Sequence, residues 1–507
     1  MKKTVLLTLL VFLLLMINSY AELQNVEVGG SIRLRWDYIT NHFNTFVGPM
    51  PQPQTRWSAI SVMGRPIGNL LGPGVVSIYD WDNKGEDLSF IEQRTRLHVN
   101  ADFTDQVRAF IELDSYDIWG EDFRSVNYLT GVDTRQNSID DVEVYQAYIE
   151  ADEMWGTPLR LRVGRQELAF GSQFLVGPRD FAFFWTGLSF DAIRLTYKAD
   201  AFTIDAWASK LFESMSDFAE DDINFYGVYA SCNAVENVTF DAYWMLLEDD
   251  LPIADDLVPT FLGGGEYDKT MLHTVGLRSA GKYEAFDFDA EVAYQFGEAD
   301  SIGKIFRTRG KGDDDAEFDN WAGKLDVGYT FDFWRKPRVF ASFRYFGGED
   351  NRDISFWDFI NPFYKPTASV SFNRLFSNEI ASGAVDLNNE LTNAWWVRLG
   401  ANGYITDKIR AILCATYFEA VDEFERPVFV LFPWWTQKND SHLGTELTLF
   451  LEYQYSQDLV IEAGWSHMFT GDGSAEGQFV RWNGLLYNGG TDDDGADYIY
   501  TGCKIYF

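Results

Sequence analysis

FDFDAEVAYQF, residues 286–296, places Phe286, Phe288, Ala290, Val292, Tyr294 and Phe296 on one parity, with Asp287, Asp289, Glu291, Ala293 and Gln295 on the other. Successive side chains of a strand point to opposite faces, so this stretch predicts a β-strand with one apolar and one polar face. The same period recurs along the chain. Leu443, Thr445, Leu447, Leu449, Leu451, Tyr453 and Tyr455 alternate with Gly444, Glu446, Thr448, Phe450, Glu452 and Gln454. Near the start, Ile32, Leu34, Trp36 and Tyr38 alternate with Ser31, Arg33, Arg35 and Asp37. Aromatic residues often open or close the apolar faces, as a strand crossing two membrane–water interfaces requires.

The spacing of these segments separates a soluble sandwich from a membrane barrel. There are 18 of them, joined at 41–87, 102–106, 117–141, 152–158, 169–189, 199–201, 211–222, 233–237, 249–270, 281–285, 297–317, 332–337, 347–392, 405–408, 419–441, 456–458 and 470–496. Long joins alternate with short ones throughout, averaging about 27 and about 5 residues, and the strands average about 11, the length that crosses the hydrocarbon at a tilt. Short turns on one side and long loops on the other are the pattern of outer-membrane barrels, and a soluble all-β protein has no reason to sort its connections this way. The expected fold is therefore all-β: a transmembrane antiparallel barrel of about 18 strands, with short periplasmic turns and long extracellular loops. It would pass many times through a bacterial outer membrane, in contact with lipid and lipopolysaccharide.

Both chain ends agree. Lys2 and Lys3 precede the apolar run Val5–Met16, and Ser19 and Ala21 put small residues at −3 and −1 of a cleavage after Ala21. Residues 1–21 thus read as a secretory signal peptide and 22–507 as the barrel. Ile499, Thr501, Cys503, Ile505 and Phe507 share one face of the last segment. A terminal aromatic of this kind resembles the signal read by barrel-assembly machinery.

Composition narrows the function. Forty-one basic against 77 acidic residues give a net charge of −36, which argues against a nucleic-acid partner. The three Cys and five His form no metal-binding pattern, and no cofactor is expected. Most of the acidic excess lies in the long joins, where Asp313–Asp315 and Asp492–Asp494 mark loop tips. Such loops could hold Ca²⁺, and a surface-structural barrel working through them is one alternative. An enzyme is another. His42, His98, His273, His442 and His467 carry no recognisable serine motif, however, and no phosphate-binding glycine loop is present.

Strand parity assigns the pore. Arg33, Arg35, Arg94, Arg96, Arg108, Arg160, Arg162, Arg194, Lys198, Arg278, Lys324, Arg338, Arg344, Arg398, Arg410 and Lys504 fall on the polar side of their strands, and only Arg165 and Lys210 fall on the apolar side. Thirteen of these sixteen polar-side cations are Arg, in a chain with 26 Arg and 15 Lys. A guanidinium binds a carboxylate through two parallel hydrogen bonds that an ammonium cannot make, so an arginine ladder suits an anionic polymer. Acids share the same faces, among them Glu92, Glu112, Asp114, Asp205, Asp241, Asp287, Asp289 and Glu291, so many Arg could simply pair with them. The i, i+2 pairs Arg94/Arg96 and Arg160/Arg162 have few local acids and are the strongest candidates for a solute path.

The most distinctive stretch is LRLRVGRQELAFGSQFLVGPRDFAFFWTGLSFDAIRLTYK, residues 159–198, with YQAYIEA at 145–151 before it. Its strand, GRQEL element, GPRD loop and returning SFDAIRL strand resemble the alginate export family of outer-membrane porins, with specific motif similarity over about residues 88–200. The resemblance implies an 18-stranded monomeric barrel with an Arg-rich constriction and passage of an anionic polysaccharide, alginate, outward from the periplasm. It implies a constriction role for Arg94, Arg96, Arg165 and Arg194. Parity from Leu159, Leu161 and Val163 directs Arg165 toward lipid, and a bulge at Gly164 would re-aim it inward. The GRQEL element could equally tie the third long loop into the lumen. Export or uptake, alginate or another acidic glycan, and a general small-anion porin all remain open at this stage.

Overall fold

The computed structural model describes residues 23–40, 87–104, 106–120, 142–180, 187–213, 222–250, 270–298, 317–348, 369–382, 391–423, 440–473 and 495–507, with short paired segments at 425–427, 436–438, 480–481 and 485–486. Residues 1–21, expected to be a signal peptide, and the acidic runs at 313–315 and 492–494 lie outside these residues.

Eighteen long strands form one antiparallel sheet: β1 (Asn25–Ile39), β2 (Leu88–Thr104), β3 (Val107–Ile118), β4 (Glu143–Ala151), β5 (Leu159–Gln166), β6 (Phe190–Lys198), β7 (Phe202–Phe212), β8 (Ile223–Val235), β9 (Val238–Asp249), β10 (Thr270–Tyr283), β11 (Phe286–Glu298), β12 (Glu317–Thr330), β13 (Arg338–Phe346), β14 (Ala394–Tyr404), β15 (Ile409–Ala420), β16 (His442–Gln454), β17 (Leu459–Thr470) and β18 (Ala496–Tyr506). Each pairs with its neighbours in sequence, and β1 also pairs with β18, from Ser31 opposite Tyr506 to Ile39 opposite Tyr498. Closure removes the sheet edges, whose unpaired N–H and C=O groups could not be tolerated in hydrocarbon. The expected strand number and the alternation of short and long connections are both present.

Alternation is read directly in the accessibility. On β11, Val292 and Phe296 are exposed, whereas Glu291, Ala293 and Gln295 are buried in the barrel. Leu277, Leu325, Leu399 and Leu413 stand on the same outer surface. Exposed aromatics gather at both rims: Trp36, Trp119, Trp321 and Trp465 toward the long loops, and Tyr283, Phe333, Trp334 and Tyr455 toward the turns. These are the interfacial girdles anticipated from the strand ends.

Two features depart from simple parity. Leu443 belongs to the outward set by counting. The register between β15 and β16 instead shifts, from Phe418 opposite Gly444 to Glu419 opposite His442. Gly444 adopts a φ of +140°, and Leu443 turns inward and is fully buried. The inner face is also not polar throughout. Toward the loop side it carries Trp207, Phe225, Tyr229, Phe346, Trp396 and Phe418, all buried.

These aromatics receive residues 167–180 and 369–382, which enter the barrel from the long-loop side. Phe346 is the hub. Its ring lies 5.3 Å from Phe174, 5.8 Å from Phe372 and 5.4 Å from Trp396. Phe376 meets Phe190 and Phe225 edge-on, each at 5.0 Å. The core of this protein therefore sits inside the barrel, between wall and inserted segments. Phe346→Ala should cost about 3–5 kcal/mol through lost burial and the cavity left behind. The expected readout is a lower temperature for the heat-induced mobility shift in detergent, with the β-type circular dichroism spectrum retained.

Candidate functional site

The two inserted segments act as one body. Val176 and Phe376 form a parallel bridge, with Phe376 N donating to Leu175 O at 2.9 Å and Gly177 N donating to Phe376 O at 2.9 Å. Asn378 N donates to Gln173 O at 3.0 Å, and Asn378 Nδ2 to Gln173 Oε1 at 2.7 Å. The wall holds this body with polar contacts. Ser172 Oγ donates to Glu291 at 2.9 Å, and Gln295 exchanges two hydrogen bonds with the Asn373 backbone, at 2.7 and 2.8 Å. Gly171 lies against Tyr229 at a φ of +53°, where a Cβ would come within 2.2 Å of the phenol oxygen. The GRQEL and GPRD elements thus carry the third long loop into the lumen.

The arginines sort into sets. In the first, Arg33, Arg94 and Arg96 converge on Asp180 of the GPRD element. Arg94 donates to Asp114 through Nε and to Asp180 through Nη1, at 2.9 and 2.5 Å. Arg96 reaches Asp180 at 3.4 Å, Glu167 at 3.7 Å, and Asp114 and Glu112 at 3.9 and 4.0 Å. Arg33 Nη1 donates to the Asp180 carbonyl at 3.2 Å, and Nη2 meets Glu462 at 3.4 Å. Tyr145 orders this set. Arg96 stacks on its ring at 4.3 Å, and its hydroxyl donates to Glu167 at 2.7 Å. Burial pushes the Glu167 carboxyl above its ordinary range, against the lowering effect of that hydrogen bond. The expectation that Arg94 and Arg96 have few acids near them is corrected: Asp180 and Glu167 arrive from the inserted loop, and Asp114 and Glu112 from the adjacent strand.

The second set lies toward the turns on β3 to β6. One buried carboxylate, Glu150, serves three guanidiniums: Arg162 at 2.5 Å, Arg108 at 3.3 Å and Arg160 at 3.8 Å. Arg108 also meets Asp152 at 2.9 Å, and Arg194 meets Asp205 at 2.8 Å. Arg162 and Arg194 are direct cross-strand partners, an arrangement that repels and that stability alone would not select. The Arg160 and Arg108 side chains remain 35% and 44% exposed.

The remaining candidates are dispersed. Arg35 is buried between Asp37 and Glu92, at 2.9 and 2.6 Å. Arg344 clamps Glu379 of the second inserted segment at 3.0 Å and Asp326 at 2.9 Å. Arg398 donates to Thr416 and to the carbonyls of Ile380 and Ala381, and meets no carboxylate among the described residues. Arg410 lies on the inner face near the turns, opposite Glu452. Arg165 stays outward. Gly164 does take a φ of +128°, but pairing runs unshifted through Val163–Ile193, Gly164–Ala192 and Arg165–Asp191, so no bulge re-aims the side chain. There Arg165 forms a two-pronged pair with the outward Asp191, at 2.9 and 3.0 Å.

Sequence parity missed Asp180, Glu379 and Tyr145, as well as the aromatic packing inside the barrel. Tyr145 escaped because a register shift between β3 and β4 turns both Tyr145 and Gln146 inward. The sequence signal for the plug is the aromatic residues at inner-face positions near the long loops, such as Trp207, Phe225, Phe346 and Trp396. Among the described residues, no group of three or more His, Cys, Asp or Glu is arranged to hold a metal ion.

A closed barrel with an apolar outer belt and a charged lumen is the architecture of an outer-membrane channel. The chain belongs to the alginate export family, whose sequence model matches residues 82–481. No curated protein matches the chain. Among solved structures, OccK8 (OprE) of Pseudomonas aeruginosa shares the fold, with a TM-score of 0.50 and 10% identity over 95% of this chain and 98% of that one. P. aeruginosa OpdQ aligns at a TM-score of 0.48 with 9% identity, covering 95% and 98% of the two chains. The anion-selective porin from Comamonas acidovorans aligns at 0.41 with 8% identity, covering 95% and 99%. The protein is thus a non-enzymatic channel of the bacterial outer membrane.

Removing the shared anion tests the second set. Glu150→Gln leaves three guanidiniums around a neutral amide. It should destabilise the barrel by about 3–5 kcal/mol, as for a broken buried ion pair, and move the reversal potential in a salt gradient toward anion selectivity. An unchanged reversal potential would place these arginines off the conduction path.

Proposed function

We propose that this channel conducts an acidic polysaccharide, alginate being the type substrate of its family, along the arginine-bearing side of its lumen. One observation carries the reading: three guanidiniums share Glu150, and Arg162 directly opposes Arg194. Such a local excess of cations costs stability, and it has a purpose if a passing carboxylate completes the set. Arg160 is the natural contact, since its nearest carboxylate lies 3.8 Å away. Arg162 stacks on Tyr148 at 4.3 Å, which fixes the plane a bidentate carboxylate would meet.

In this reading the acidic long loops act after the pore. A polyanion moving outward meets arginine first and repulsive loops last, which disfavours its return. A second reading, a pore for small acidic solutes, is favoured by the volume that residues 167–180 and 369–382 take up in the lumen.

Single-channel recording in planar bilayers separates the two. The polymer reading predicts anion preference and block by oligouronates that strengthens with chain length. The small-solute reading predicts the same anion preference with block independent of length. Replacing both Arg160 and Arg162 with Ala should weaken oligouronate block by roughly tenfold or more, because hydrogen bonds to charged groups contribute about 1.5–3 kcal/mol each. Cation selectivity, or no block at all, contradicts the polyanion reading and leaves the barrel intact.

A further inference from the structure

The Asp180 contact is not needed to hold its loop. The inserted body is already fixed by the Val176–Phe376 bridge and by the packing of Leu168, Phe174, Leu175 and Val176, each at most 2% exposed. Asp180 lies beyond that packing and its side chain is 31% exposed, whereas Asp114, the other acid on Arg94, is 2% exposed. One accessible carboxylate is therefore presented to two arginines of β2, with its backbone carbonyl on a third guanidinium, Arg33 of β1.

The receiving groups have the form of a carboxylate site. Arg94 offers Nη1 at 2.5 Å and Arg96 offers Nη2 at 3.4 Å to the same oxygen of Asp180. Arg96 is loosely held. All four of its ionic contacts lie between 3.4 and 4.0 Å, and its buried Nε makes no hydrogen bond among the described residues. Tyr145 supports both guanidiniums, at 5.2 and 4.3 Å. Gly187 closes over them, where a Cβ would fall within 2.4 Å of Arg94 and 2.7 Å of the Tyr145 hydroxyl.

We infer that Arg33, Arg94 and Arg96 form a uronate-binding site that the chain's own Asp180 occupies at rest as a substrate mimic, so that an incoming uronate enters by displacing it. This rests on the polyanion reading above and adds a competition to it. A carboxylate tethered to its site acts at a high effective concentration, so the resting site discriminates against single small anions and yields to a polymer that presents many carboxylates in sequence.

The test is oligouronate block of single channels by the full-length protein and by Asp180→Asn, with a neutral oligosaccharide of equal length in parallel. Asp180→Asn is expected to be blocked at roughly tenfold lower oligouronate concentration, with neutral-oligomer sensitivity unchanged and the heat-induced mobility shift retained. Asp180→Glu, which keeps the carboxylate, is expected to behave as wild type. Equal oligouronate block of wild type and Asp180→Asn overturns the mimic and leaves the polyanion reading standing. Equal gains for acidic and neutral oligomers also overturn it, by showing that the pore had merely widened. No oligouronate block of either protein overturns both readings.

Discussion

Every backbone N–H and C=O that enters the hydrocarbon must be paired within the protein, and closure of β1 on β18 meets that requirement. The rest follows from it. A closed sheet has an outside that only lipid can touch and an inside that lipid never reaches, so the two parities of each strand face different solvents. The outer parity is leucine, valine and aromatic. The inner parity is free to hold charge, because an arginine that would cost about 2–4 kcal/mol on the lipid face at mid-bilayer is screened and paired in the lumen.

An 18-stranded barrel leaves more interior than wall side chains alone fill. This protein fills the loop-side half with two segments of its own chain and an aromatic core, and leaves the turn-side half polar. The junction is electrostatic. Asp180 and Glu379 ride in on the inserted segments and dock on Arg94, Arg96 and Arg344, each of which also meets a wall carboxylate. In the proposed account, the guanidiniums that meet Asp180 are those a polyuronate would seek, so the tethered carboxylate and the solute compete for the same groups.

The wall was legible in the sequence because it is written locally. Alternation over residues 286–296 and aromatic strand ends need only a dozen residues of context, and the sorting of short from long joins follows once those strands are marked along the chain. The pairing of the arginines was not legible, since Arg94 finds Asp180 across 86 positions and Arg344 finds Glu379 across 35. Irregularities limited parity itself. Gly444 does break the register and turns Leu443 inward, whereas Gly164, also at positive φ, does not, and Arg165 stays outside with Asp191. A glycine marks where a strand can bend, and only the partner strand decides whether side chains change faces.

The central claim is that the lumen favours passage of acidic over neutral polymers. Flux of labelled oligomers from proteoliposomes tests it most directly, with an acidic and a neutral oligosaccharide of the same length compared in the same vesicles. The account predicts faster release of the acidic oligomer, with the advantage shrinking as salt rises and screens the arginines. Equal release of both, or faster release of the neutral one at every ionic strength, would contradict it.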